Sequence, residues 1–95
     1  MLNELFEIIL DRKTNPQPGS YTNKLLNANE DLILQKVGEE SIEVILAAKG
    51  QGRQRLVEEV SDLFYHTLVL LVRQGVNLAD VEAELYRRNA AMEVQ

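Results

Sequence analysis

Lys36-Val-Gly-Glu-Glu-Ser-Ile-Glu43, a Lys49-Gly-Gln-Gly52 break, and Leu56-Val-Glu-Glu-Val-Ser-Asp-Leu-Phe-Tyr-His66 make up the stretch whose reading decides the fold. Glu40 and Glu43 stand three residues apart, as do Glu59 and Asp62, and on a helix that spacing projects each pair from one face. The glycine break lets two such helices fold back antiparallel, which brings the carboxylates together. Left uncompensated they repel strongly at low dielectric, so the arrangement is stable chiefly with a divalent cation among them.

Outward from this stretch the pattern stays helical. From Glu30 to Ala48 the residues Leu32, Ile33, Val37, Val44, Ile45 and Ala48 recur at three- and four-residue steps, with Lys36, Glu40 and Glu43 on another face. Gly38 inside this helix points to close packing or close ligand approach, or is simply tolerated. Lys49 places a cation in the last turn, followed by a glycine suited to a left-handed cap. The next helix runs from about Arg53 to Arg73 and is apolar nearly all round, so it is expected to be central and buried. Gln74-Gly75 closes it, and a further helix begins near Asn77 or Asp80 and runs to about Ala91, with Leu78, Val81, Leu85 and Met92 facing inward. Toward the N-terminus, Leu2, Leu5, Phe6, Ile9 and Leu10 mark a short amphipathic helix, stopped by Asn15-Pro-Gln-Pro-Gly19. Ser20-Tyr-Thr-Asn-Lys-Leu-Leu26 then reads as a helix cap with one or two turns, or as hydroxyls and a lysine arranged for phosphate. No alternation is long enough for a strand, so the fold class is an all-α bundle of about four helices in a single domain spanning residues 1–95.

Composition narrows the function. At 95 residues the chain buries only roughly 65% of its unfolded surface, and a nearly all-apolar central helix in so short a chain implies a homodimer. The absence of cysteine excludes disulfides and thiolate metal sites. A net charge of −5 argues against nucleic acid, and Arg87-Arg88 is too short a basic run to reverse that. The acidic N-terminus does not resemble a secretory signal, and Leu56 to Val72 carries too many charges to cross a membrane. The expectation is a cytoplasmic protein with no membrane partner.

An all-oxygen ligand set selects Mg²⁺, Mn²⁺ or Ca²⁺. His66, the only histidine, leaves zinc and the Glu-x-x-His pairs of di-iron bundles poorly supported. Magnesium beside Lys24 and Lys36 suits a phosphorylated substrate, because Mg²⁺ completes its shell with phosphate oxygens while lysines neutralise the remaining charge. A spare glutamate can then orient or deprotonate water. The residues alone lead to metal-dependent attack on a polyphosphate.

Pro18-Gly-Ser-Tyr-Thr22, Lys24-Leu-Leu, Lys36-Val-Gly-Glu-Glu40, Glu43, Glu59-Val-Ser-Asp-Leu-Phe-Tyr-His66 and Leu68-Val-Leu-Leu71 together resemble the phosphoribosyl-ATP pyrophosphatase family, within the MazG-like nucleotide pyrophosphohydrolases. The resemblance implies magnesium-dependent hydrolysis of phosphoribosyl-ATP to phosphoribosyl-AMP and pyrophosphate in histidine biosynthesis, with manganese as a possible substitute. It further implies that Glu40, Glu43, Glu59 and Asp62 bind metal, and that Glu39 or Glu40 serves the catalytic water. Ser20, Tyr21, Thr22, Lys24 and Lys36 become phosphate contacts, Tyr65 and His66 position substrate, and Lys24, Arg87 or Arg88 meets the second ribose phosphate. A separate cyclohydrolase is expected to act next. Ser61 and the Gly50-Gln-Gly-Arg53 turn depart from the family pattern without touching these ligands. The alternatives are a general nucleoside triphosphate pyrophosphohydrolase and a non-catalytic helical dimerisation module.

Overall fold

Apolar residues repeating every three or four positions become helices along the whole chain. The computed structural model describes residues 1–91, in which α1 (Leu2–Thr14), α2 (Tyr21–Asn27), α3 (Glu30–Gly50), α4 (Arg53–Gln74) and α5 (Leu78–Ala91) follow one another without a strand. None of these helices is long and apolar enough to cross a membrane. Met92, expected to face inward, lies outside the described residues.

Helix α1 continues one turn past Leu10. That polar turn carries Arg12 and Lys13, which favour the negative end of the helix dipole. Asn15 closes it, its backbone N–H donating to Asp11 O at 2.7 Å and its side-chain amide to Asp11 Oδ1 at 2.8 Å, and Pro16 prevents continuation. Ser20 caps α2 with extended backbone, its hydroxyl accepting from the Asn23 N–H at 3.1 Å. Asn29 caps α3, accepting from the Asp31 N–H at 2.8 Å.

The α3–α4 turn differs from expectation. Gly50 is still helical and Gln51 closes α3 at φ −104°, whereas Gly52 takes φ 90° and ψ 165° at the entry to α4. Only glycine adopts that backbone readily, so the required glycine opens the second helix instead of ending the first. With two residues between them, α3 and α4 return antiparallel and form the most extensive helix pair. At the far end Gly75 is left-handed at φ 73°, with Gly75 N–H donating to Val72 O and Val76 N–H to Leu71 O. This double bond pattern satisfies the last carbonyls of α4.

The core joins Phe6 and Ile9 of α1, Leu25 of α2, Ile33 of α3, and Leu68, Val69 and Val72 of α4. Helix α4 is therefore central, but it is not buried all round, because Val57 and Phe64 are each about half exposed. Helix α5 packs little against the other four, and Val81 and Leu85 face solvent where an inward position was expected; of these three described apolar residues Leu78 alone is partly buried. The radius of gyration is 14.9 Å, larger than the about 12 Å of a compact domain of this length. A groove of about 760 Å³ accounts for the openness, walled by Leu2, Val37, Phe64, Leu71, Val81 and Leu85 among others. Gly38 is exposed with no atom near its missing Cβ, so nothing among the described residues requires glycine there.

Candidate metal and phosphate site

Helical spacing places Glu59 and Asp62 on one side of α4, and the antiparallel return sets Glu40 of α3 opposite them. One carboxylate oxygen from each of these three residues lies within 4.8 Å of the others. Glu59 is buried, Glu40 half-buried and Asp62 exposed, so the helix expected to be buried all round leaves one ligand candidate at the surface. Glu43, one turn beyond Glu40, is exposed and stands outside this group of three. Glu39 points elsewhere: Gln35 Nε2 donates to it at 3.1 Å and Lys36 Nζ lies 3.8 Å away.

The charges are only partly balanced within the protein. Arg55 reaches Glu59 at 2.5 Å and Glu58 at 2.8 Å. Burial pushes the Glu40 carboxyl above its ordinary range; His66 opposes the shift, while Asp62, Glu59 and Glu43 add to it. A carboxylate held among like charges, with oxygen donors converging and no thiolate nearby, fits a hard divalent cation. His66 is not available as a ligand. Its Nδ1 lies 2.7 Å from the Asp62 carbonyl, which only accepts, so Nδ1 carries a proton. Nε2 lies 3.0 Å from the Tyr21 hydroxyl, accepting its proton when the ring is neutral and donating to it when the ring is charged.

The hydroxyls expected to meet phosphate are bonded inside the protein. Ser20 caps α2, Tyr21 bonds His66, and Thr22 shares a short hydrogen bond with the Tyr65 hydroxyl. The Tyr21 and Tyr65 rings stack with centroids 6.3 Å apart, and His66 meets each ring edge-on at 5.9 and 5.1 Å. Burial raises the Tyr21 phenol; Lys36 opposes this, and the charges of Tyr65, Glu40 and Asp62 reinforce it. Tyr21 thus stands between the acidic group and an open cleft of about 650 Å³, lined by Gly19, Ser20, Asn23, Lys24 and Asn27 as well. Lys24 is exposed on that cleft and Lys36 is half-buried near Tyr21. Arg87 and Arg88 are not brought to the cluster: both bond Glu84 of their own helix and hold its carboxyl down at about 2.

Sequence reasoning overlooked three contributors. Asn23 is buried, its Oδ1 accepting from the Gln17 N–H and its Nδ2 donating to Arg12 O, both at 2.8 Å. It therefore ties the proline loop and the end of α1 to α2. Arg73 donates to Leu25 O at 2.8 Å, tying α4 to the end of α2. Arg55 was legible from its four-residue spacing to Glu59; Asn23 and Arg73 act across elements, which no local spacing announces.

Comparisons with known proteins agree with this geometry. The family model described as phosphoribosyl-ATP pyrophosphohydrolase matches residues 2–89. A phosphoribosyl-ATP pyrophosphatase of Clostridium acetobutylicum is 49% identical over 94% of this chain and 81% of its own length. One from Listeria monocytogenes serotype 4b is 52% identical over 97% of this chain and 88% of that protein. The histidine biosynthesis bifunctional protein of Caldanaerobacter subterraneus is 51% identical over 93% of this chain, but the match covers only 43% of that protein. A family match over residues 2–89 on a chain whose two acidic helices converge has one consequence: the chain belongs to the phosphoribosyl-ATP pyrophosphohydrolase family.

Proposed function

We propose that this protein hydrolyses phosphoribosyl-ATP to phosphoribosyl-AMP and pyrophosphate in the cytoplasm, as a magnesium-dependent homodimer. The observation that carries the reading is the convergence of Glu40, Glu59 and Asp62 across α3 and α4 in a member of this family. These residues would hold Mg²⁺, with Glu43 joining by a rotamer change and Mn²⁺ serving as a substitute. When bound, the cation supplies positive charge to the phosphate oxygens. Glu40, within the cluster and with a raised proton affinity, would orient and deprotonate water; Glu39, turned to Gln35 and Lys36, would take that task only after its side chain swings toward the cluster. The water oxygen bonds to phosphorus, its proton passes to carboxylate, and the α–β bridging bond breaks with its electrons leaving on the departing diphosphate. Lys36 and Lys24 neutralise that diphosphate and the substrate's outer phosphate. Lys24 is the better candidate for the second ribose phosphate, because it lines the open cleft while Arg87 and Arg88 are held by Glu84.

The test is to separate the products of phosphoribosyl-ATP by ion exchange, free of contaminating pyrophosphatase, and to repeat the assay with ATP. Intact pyrophosphate is expected, with phosphoribosyl-ATP preferred by about 100-fold or more, since a site built around polar groups discriminates strongly against substrates that leave them unpaired. Orthophosphate as the first product, or equal turnover of ATP, would move the protein to the general nucleotide-hydrolase reading.

Acidification supplies a second check on the metal-free protein. Glu40 titrates above its ordinary value when folded, so between 4.5, the value it has unfolded, and its folded value the native state binds the proton more readily, and stability rises as pH falls. Above that window the charged form costs stability. Melting of wild type and Glu40→Gln without metal, at pH 7 and pH 5, is expected to show a smaller acid gain in the variant; an equal gain in both places the effect elsewhere.

A further inference from the structure

Helix α2 has seven residues, too few to hold a fixed shape or place without tertiary support. Two of its supports cross to α4: the Tyr21 hydroxyl shares a hydrogen bond with His66 Nε2, and the Thr22 hydroxyl shares one with that of Tyr65. Successive residues of α2 thus meet successive residues of α4 in reverse order. The second partner of His66 is the carbonyl of Asp62, a member of the acidic group. Lys24 projects from the same short helix onto the open cleft that Tyr21 also lines.

A phosphate only accepts, so Tyr21, whose one proton goes to Nε2 when His66 is neutral, would have to leave that partner to reach it, and Thr22 is held against the Tyr65 hydroxyl whichever of the two donates. His66 is buried, with 6% of its surface exposed, so withdrawal of Tyr21 strands Nε2 without a partner, a loss charged in full against any new contact. Tyr21 must also unstack from Tyr65.

We propose that Tyr21 and Thr22 are positioning residues: acting through His66 and Tyr65, their hydroxyls lock α2 onto α4 and so set where Lys24 stands relative to Glu40, Glu59 and Asp62. Direct recognition of phosphate on this side of the site falls to Lys24. The proposal rests on the reaction proposed above and assigns the hydroxyl-rich motif a different role within it.

Three double-mutant cycles, read as kcat and KM on phosphoribosyl-ATP with magnesium, test it. Tyr21→Phe keeps the stacked ring, and loss of one hydrogen bond of about 1.4 kcal/mol corresponds to about a tenfold fall in kcat/KM. Combined with His66→Gln, the double variant is expected to be no worse than the weaker single one, because both break the same link. Thr22→Val with Tyr65→Phe is expected to behave alike, and Thr22→Ser, which keeps the hydroxyl, to stay within about twofold of wild type. The third cycle reads the consequence: Lys24→Met is expected to cost about tenfold or more in wild type and under threefold in a Tyr21→Phe background, where the lysine is already displaced. Melting temperature and Mn²⁺ affinity without substrate, measured on each variant, show that the fold and acidic group persist. Additive losses in the Tyr21–His66 and Thr22–Tyr65 cycles mean that the hydroxyls touch substrate themselves and overturn the proposal, as does an undiminished Lys24 effect in the Tyr21→Phe background. Wild type inactive on phosphoribosyl-ATP removes the assigned reaction and the proposal together, whereas active wild type with additive variants removes the proposal alone.

Discussion

Replacing Asp62 by Asn, or Glu40, Glu43 or Glu59 by Gln, is expected to lower phosphoribosyl-ATP turnover by about 10²–10³-fold, the range for removing one group that stabilises charge developing in a transition state. Each change is near-isosteric and deletes a negative charge that a cation needs, so the loss falls on metal binding and not on packing. The metal-free fold is expected to persist in every case. Glu40→Gln should melt at or above wild type, because Glu40 is held among the charges of Asp62, Glu59 and Glu43 and its neutralisation relieves repulsion. Glu59→Gln releases Arg55, whose side chain is 48% exposed and finds water at little cost. Steady-state kinetics across a magnesium titration, paired with melting curves, provide the measurement. Near-normal turnover in any two of the four variants would show that the acidic group is not the metal site.

The second large effect is expected at the groove between α4 and α5. Phe64, Val81 and Leu85 are exposed there in the single chain, and Phe64 is about half exposed. Contiguous apolar surface of this kind marks an association site, and a second copy is the partner proposed here, since the open chain leaves the face of its central helix uncovered. Phe64→Glu is expected to weaken that dimer by about 2–4 kcal/mol, the size of effect seen when a central aromatic anchor is lost. The helical content should be unchanged, because Phe64 is not part of the buried core. Sedimentation at micromolar concentration should find wild type as a dimer and Phe64→Glu shifted to monomer. A wild type that is monomeric at that concentration would end the proposal.

These two outcomes depend differently on what local sequence expresses. The helices, the Ser20 cap and the Gly75 stop were legible because each is decided within a few residues: apolar periodicity, one hydroxyl and one N–H, one left-handed glycine. The pairing of Glu40 with Glu43 and of Glu59 with Asp62 was legible for the same reason, since three residues along a helix is nearly one turn.

Convergence between helices is of another kind. Whether Glu40 or Glu43 meets Glu59 and Asp62 depends on the rotation and axial register of α3 against α4, and those are decided by Ile33, Leu68, Val69 and Val72 interlocking in the core. Local spacing contains no record of that register. The same limit explains the hydroxyls: Ser20, Tyr21 and Thr22 have the chemistry to bind phosphate, but only the docking of α2 on α4 assigns two of them to His66 and Tyr65. It explains α5 as well, whose apolar stripe was plain in the sequence although its own chain leaves that stripe uncovered. The sequence by itself determined the helices, most of their ends and the chemistry each face carries, because those follow from contacts a turn apart, although α1 runs a turn further and the α3–α4 glycine opens the second helix. Tertiary structure alone decided which three carboxylates converge and which hydroxyls are already bonded, because those depend on contacts between residues far apart in the chain.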